Sequence, residues 1–289
     1  MFDSIVKDIR YKLQTGGFWI RCIAICVAVF LLLNILKAWF TFSNDGLAAA
    51  TYHDIIYSVS ISSEWIDNIW RIWVWVTHIF VHEGFFHLLW NMMWLYWFAG
   101  IVEDLIGIRH AKYIFFEAAL FGALAFILSA QFIPWYQHME IHAYGASAAV
   151  NGLLFAAATI SPTYNIRLLI FGNVQLKYLA LVILILDILF AGQTSNTGGH
   201  FAHLGGALWG YLYIVLLRKG FDMDILKLKA FHKTKKKPKI LPFHRKPKSH
   251  TDDKPAEDRL NQILDKIHKQ GIQTLSDDEK SYLDHRSKE

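Results

Sequence analysis

The sequence predicts an all-α membrane protein: a bundle of six transmembrane helices with both termini cytoplasmic, followed by a small C-terminal helical tail. Three observations predict it. First, 54% of the 289 residues are hydrophobic and only 18% are charged, too little charge for a soluble domain of this length. Second, six apolar stretches, 18–39, 85–105, 112–133, 147–161, 174–190 and 201–217, reach or approach the roughly 20 residues that a helix needs to cross a bilayer. Third, the connections alternate in charge. Lys7, Arg10 and Lys12 precede the first stretch, Arg109 and Lys112 lie between the second and third, Arg167 and Lys177 lie near the link from fourth to fifth, and a basic run follows the sixth. By contrast, 40–84 holds only Arg71, while 134–146 and 191–200 hold no Lys or Arg. Lys and Arg collect on the cytoplasmic side, so every second loop and both termini are expected there.

Taken in order, residues 1–17 read as an amphipathic cytoplasmic N-terminus. Phe2, Ile5, Val6, Ile9 and Leu13 recur at helical spacing with Lys7, Arg10 and Lys12 between them, the pattern of a helix lying on a membrane surface. The stretch 18–39 is too long for a signal-peptide core, and no small-residue cleavage site follows it. Cys22 and Cys26, four apart in this stretch, are expected to pack or to face lipid rather than to form a disulfide framework. Residues 18–217 form the membrane domain. Its first outer loop, 40–84, carries Trp65, Trp70, Trp73 and Trp75, which suggests short helices at the interface. Arg71 and Glu103 are expected to anchor loops. The fourth stretch is short and is expected at the centre of the bundle, shielded from lipid.

Beyond the bundle, 218–254 reads as a polybasic linker. Ten Lys or Arg and no acidic residue fall between 227 and 248, a composition suited to anionic lipid headgroups rather than to nucleic acid when it directly follows a hydrophobic span. Residues 255–289 read as a small helical hairpin. Leu260, Ile263, Leu264 and Ile267 form an apolar stripe, Gly271 breaks it, and Ser276 with Glu279 forms a capping box that opens a second helix.

Polar residues inside spans are costly and mark function by default. His87 and Asn91 open the second span, Ser147 and Asn151 the fourth, and His203 the sixth. Spans two, four and six run in the same direction, so their first turns share one outer depth. A serine hydroxyl is a weak nucleophile that needs a base within hydrogen-bond reach, and histidine titrates near neutrality. The helices bearing Ser147 and His203 must therefore approach closely. Gly206 and Gly210 on one, with Gly145, Ala148, Gly152 and Ala156 on the other, supply small faces for that approach. His87 and Asn91, one turn apart, share a helical face with an oxyanion in view, alongside the Ser147 backbone N–H.

The stretch from Trp70-Arg71 through Thr77-His78, His82 and His87 to Asn91, then Gly145-Ala146-Ser147, then Ala202-His203-Leu204-Gly205-Gly206 with Gly210, resembles the rhomboid family of intramembrane serine proteases. The resemblance covers roughly 18–217. It implies a catalytic Ser147–His203 dyad without an obligatory acid. It also implies an oxyanion hole at His87, Asn91 and Ser147, and cleavage of other proteins' transmembrane helices near their outer ends. Two positions depart from the family pattern. Ala148 stands where glycine usually follows the serine, and Asn151 stands where an aromatic often packs on the histidine.

Other readings accompany these. His82 is expected to support the site by anchoring the outer loop or a water, and Asn151 by a hydrogen bond near His203. Asp187, near the outer end of the fifth span, is expected to cap the outer loop rather than to orient the histidine. The His82-Glu83 spacing to His87 is one residue too long for a zinc helix, so no metal and no cofactor are expected. The alternative function is a catalytically inactive rhomboid-like protein that binds transmembrane helices. Transmembrane protein substrates and membrane lipids are the expected partners. The expected location is a multi-pass position in a bacterial plasma membrane, given the lack of a transit-like leader.

Overall fold

In lipid a backbone finds hydrogen-bond partners only within itself, so long apolar runs fold as helices. The computed structural model describes residues 17–43, 47–133, 140–168, 172–191, 197–221 and 254–286. The expected surface helix over residues 1–16 and the basic run at 227–248 lie outside these. The long helices are α1 (Phe18–Ser43), α5 (Phe85–Ile106), α6 (Ile108–Phe132), α7 (Ser147–Ile160), α8 (Leu176–Phe190) and α9 (Thr197–Arg218). These coincide with the six apolar stretches of the sequence. Four of them, α1, α5, α6 and α9 from Gly198, are long and apolar enough to cross a membrane. The other two, α7 and α8, have 14 and 15 residues.

The short α7 is the hub of the bundle. Nine of its 14 residues are buried, and it packs against α5, α6, α8 and α9. Glycine makes the closest of these contacts possible. A Cβ added to Gly206 would lie 2.1 Å from the Ala148 carbonyl oxygen, and one on Gly210 would lie 2.0 Å from that of Gly152. One on Gly152 would meet the Ala118 Cβ at 2.2 Å. The α9 backbone thus lies directly on the α7 backbone, as small-residue faces permit. At the other end of α5, Trp19 Nε1 donates to Glu103 Oε2 at 2.7 Å. Glu103 therefore ties α1 to α5 instead of anchoring a loop. Cys22 and Cys26 are both buried in the α1 packing face.

From residue 47 on, the connection from α1 to α5 is ordered, as its aromatic content led one to expect. It contains α2 (Leu47–Ser58), α3 (Trp65–Trp70), α4 (Val74–Thr77) and a 3-10 turn at His78–Phe80. Trp65, Trp70 and Trp73 are exposed on it. Arg71 does anchor this segment, donating to Asp67 Oδ2 at 2.7 Å and to the Tyr57 carbonyl at 3.2 Å. Two short antiparallel pairings were not expected. β1 (Ile61–Ser62) pairs with β2 (His142–Ala143), and β3 (Asn165–Leu168) with β4 (Gly172–Gln175).

Residues 228–289 form a separate compact unit. Its described part is α10 (Lys254–Gln270), a 3-10 turn at Ile272–Thr274 and α11 (Asp277–Arg286). Ile263 and Leu275 are buried within it. The capping box is present: Ser276 N–H donates to Glu279 Oε2 at 2.8 Å, and Glu279 N–H donates to Ser276 Oγ at 3.3 Å. Lys266 reaches the same carboxylate at 2.8 Å and holds the Glu279 pKa below its usual range.

Candidate active site

Ser147 is the first residue of α7, immediately after the N-cap Ala146. The N–H groups of a helix's first turn lack intrahelical acceptors and carry the positive end of the helix dipole, which places a natural anion site at the hydroxyl. The chain reaches Ser147 through Gly145, whose φ of +120° suits only glycine. Space imposes the same choice, because a Cβ there would lie 2.8 Å from His87 Cε1.

The peptide that delivers the serine is held along its length by the α1–α5 connection. Ser63 N–H donates to the Ile141 carbonyl at 2.8 Å, and Ser62 and Ile61 pair with His142 and Ala143. Gly145 N–H then donates to the His78 carbonyl at 2.8 Å. Finally Ala146 N–H donates to His82 Nε2 at 3.3 Å, which leaves the His82 proton on Nδ1, facing the Phe80 carbonyl at 3.4 Å. Burial, then the neighbouring His87, pushes the His82 pKa down, so the ring stays neutral as this bond requires. His78 is likewise pushed down by burial while its Nδ1 donates to the Val74 carbonyl at 2.7 Å. His82 is thus an anchor of the turn that delivers Ser147.

A cavity of about 450 Å³ brings together Ser147, His203, His87, Asn91 and Asn151, with Asp187 beside them. These residues come from α5, α7, α8 and α9. The residues singled out in the sequence as sharing one depth do share one cavity. Asn91 Nδ2 donates to the His87 carbonyl at 2.8 Å, which orients the amide and leaves its second N–H for the cavity. Asn151 is buried on the α7 wall. Ala148 fits because α6 answers it with Gly122: a Cβ on Gly122 would stand 2.5 Å from that of Ala148.

Asp187 departs from expectation. Its Oδ1 lies 2.8 Å from His203 Nδ1 and 2.8 Å from His200 Nδ1. The carboxylate does reach the start of α9 through His200, but it also holds the histidine expected to act as base. With Nδ1–H donated to Asp187, the acceptor lone pair of His203 sits on Nε2. One turn of spacing in α9 puts both imidazoles on the face toward α8, a contact that hydropathy does not reveal. The three donor atoms lie within 4.8 Å of one another, close enough for a metal ion, and two hydrogen bonds join them.

Residues 69–220 match the Rhomboid domain model, more than half of the chain. The protein belongs to the rhomboid family. This rhomboid is similar to the rhomboid protease GlpG of Yersinia enterocolitica serotype O:8 / biotype 1B (strain NCTC 13174 / 8081), 25% identical over 114 residues, 38% of this chain and 34% of that one. It is similar also to the rhomboid proteases GlpG of Yersinia pestis (strain Pestoides F) and Yersinia pseudotuberculosis serotype O:3 (strain YPIII), each 25% identical over 109 residues, 38% of this chain and 34% of theirs. The similarity spans about a third of the length of these curated relatives. Residues 253–289 match a family of unknown function, DUF6576. This rhomboid is accordingly an integral, multi-pass membrane protein.

Proposed function

We propose that this rhomboid is an intramembrane serine endopeptidase that cuts transmembrane segments of other membrane proteins near their outer ends. Ser147 is the nucleophile and His203 the general base. The observation that carries this reading is the Asp187–His203 hydrogen bond at the cavity that holds Ser147, since it turns the basic nitrogen away from Asp187 and leaves it for the hydroxyl. His203 Nε2 takes the Ser147 proton as Oγ attacks a peptide carbonyl. The developing oxyanion is met by the Ser147 N–H, the second N–H of Asn91 and His87. An acyl-enzyme forms, His203 returns the proton to the leaving amine, and water then releases the acyl group.

The rest of the organisation follows from the same reading. All six long helices cross the bilayer, with α7 short because its neighbours shield it, and both termini are cytoplasmic. The membrane domain spans 18–217, the basic linker 218–254 meets anionic lipid of a bacterial plasma membrane, and 255–289 is an accessory hairpin. A substrate helix must unwind before its peptide carbonyl can reach Oγ, so small or helix-breaking residues near the cut are favoured.

Cleavage of a model transmembrane substrate in proteoliposomes tests these roles. Ser147→Ala and His203→Ala should abolish it. Asp187→Asn should lower kcat by more than tenfold with KM little changed, in line with the loss of about 10⁴ when the acid of a soluble triad is amidated. Parental kcat in Asp187→Asn would remove the acid from the mechanism. Equal cutting of a rigid Leu-rich site would remove the unwinding requirement.

A further inference from the structure

The proposed reaction asks Asp187 to hold one imidazole, yet it holds two. Its Oδ1 accepts from Nδ1 of His203 and from Nδ1 of His200, each at 2.8 Å. An ionised carboxylate only accepts, so both Nδ1 atoms face it as donors. Asp187 and His203 line the cavity that contains Ser147, whereas His200 is not among its lining residues. No step of the proposed acyl transfer uses His200. The two rings stand at 83° with centroids 5.8 Å apart, so they converge on one oxygen from different directions instead of stacking. The carboxylate side chain is 9% exposed, and the imidazoles of His200 and His203 keep 18% and 22%, which leaves the cluster open on one side.

Two imidazoles and a carboxylate are a ligand set for zinc, which takes either donor at about 2.0–2.2 Å; magnesium and calcium prefer oxygen alone. Ligands at that distance around a tetrahedral ion stand about 3.3 Å apart. The donor atoms already lie within 4.8 Å of one another, and the two 2.8 Å contacts need to open by only about half an ångström to admit the ion.

We infer that Asp187, His200 and His203 form an inhibitory zinc site that switches off the general base. The switch rests on His203 being that base; the site does not. An imidazole nitrogen binds a metal through its lone pair, so zinc on Nδ1 of His203 moves the ring's proton from Nδ1 to Nε2 and leaves the ring neutral. Nε2, the atom that takes the Ser147 proton in the metal-free protein, is then an N–H donor and cannot take it. Asp187 turns from Nδ1–H to the ion at the same time. The Ser147 hydroxyl stays in place and loses its activation. His200 supplies the second nitrogen, without which one imidazole and one carboxylate hold zinc weakly.

The experiment titrates zinc chloride into the purified full-length protein, stripped with EDTA, by calorimetry near neutral pH, with magnesium chloride as the control. The rate of fluorophosphonate labelling at Ser147 is measured with and without zinc, each variant being compared with itself. His200→Ala should weaken zinc binding at least about tenfold, the least that loss of even an outer partner of a metal ligand costs. Saturating zinc should slow labelling of the parental protein at least about tenfold, because a hydroxyl without its base is a weak nucleophile. EDTA should restore the rate, and magnesium should do neither. In His200→Ala the same zinc concentration should leave the rate within about twofold of the metal-free value. His200→Gln keeps an N–H for Asp187 but no imidazole, and gives the same readout if His200→Ala does not fold. Equal zinc affinity in the parental protein and the His200 variants would overturn the site, as would equal slowing of labelling in all of them. Zinc bound through His200 with labelling unslowed would overturn the switch. Failure of the metal-free parental protein to label at Ser147 would instead strike the proposed function, while the calorimetry still decides the site.

Discussion

At the scale of single residues, the site depends on histidines that must stay neutral. His78 and His82 both have pKa values pushed down by burial, against an ordinary value near 6.5. The folded protein therefore binds fewer protons than the unfolded chain below that pH. Their contribution is fully present above about pH 6.5 and is lost as pH falls toward the folded values. Protonated His82 can no longer accept the Ala146 N–H, which releases the turn that carries Ser147. Thermal unfolding in detergent should show a midpoint that drops between pH 7 and pH 5, and His82→Gln should reduce that drop. A midpoint flat across this range would contradict the argument. The sequence marked His82 as a loop anchor, but not the group it holds. The bond joins residues 64 apart, and no local pattern reports a side chain that meets a distant backbone. The Asp187–His203 bond joins side chains on two different helices, a pairing that hydropathy does not report, and Asp187 read as a loop cap. Ser147, His203, His87 and Asn91 were legible because polar groups stand out in apolar spans and because helix direction sets their depth.

At the scale of elements, the proposed function rests on how closely α9 approaches α7. The glycines that allow it were readable, since small residues four apart on a polar-bearing helix announce a contact face. What they touch was not, and neither was Gly122, whose partner Ala148 stands on another helix. Gly206→Ala places a methyl 2.1 Å from a backbone oxygen, which no rotamer change relieves. It should destabilise the protein by about 1–3 kcal/mol and displace His203 from Ser147, so that activity falls further than stability alone accounts for. Thermal unfolding and substrate cleavage measured on the same preparation check this. Full activity in Gly206→Ala would show that the backbone contact does not set the site. The two short strand pairings escaped sequence reading because two to four residues show no clear alternation. The bounds of the six long helices were predicted closely, because hydropathy acts over whole spans.

At the scale of the molecule, a short central helix, two small-residue faces and a stapled connection converge on one hydroxyl at a helix N-terminus. Membership of the rhomboid family and a multi-pass membrane location agree with that convergence. The central claim is that Ser147 is a nucleophile activated by His203. The most direct measurement is labelling of the purified full-length protein by a fluorophosphonate, with the modified residue mapped by mass spectrometry. The account predicts a single adduct on Ser147, absent from Ser147→Ala and strongly reduced in His203→Ala. Equal labelling of all three proteins, or an adduct on another residue, would contradict it.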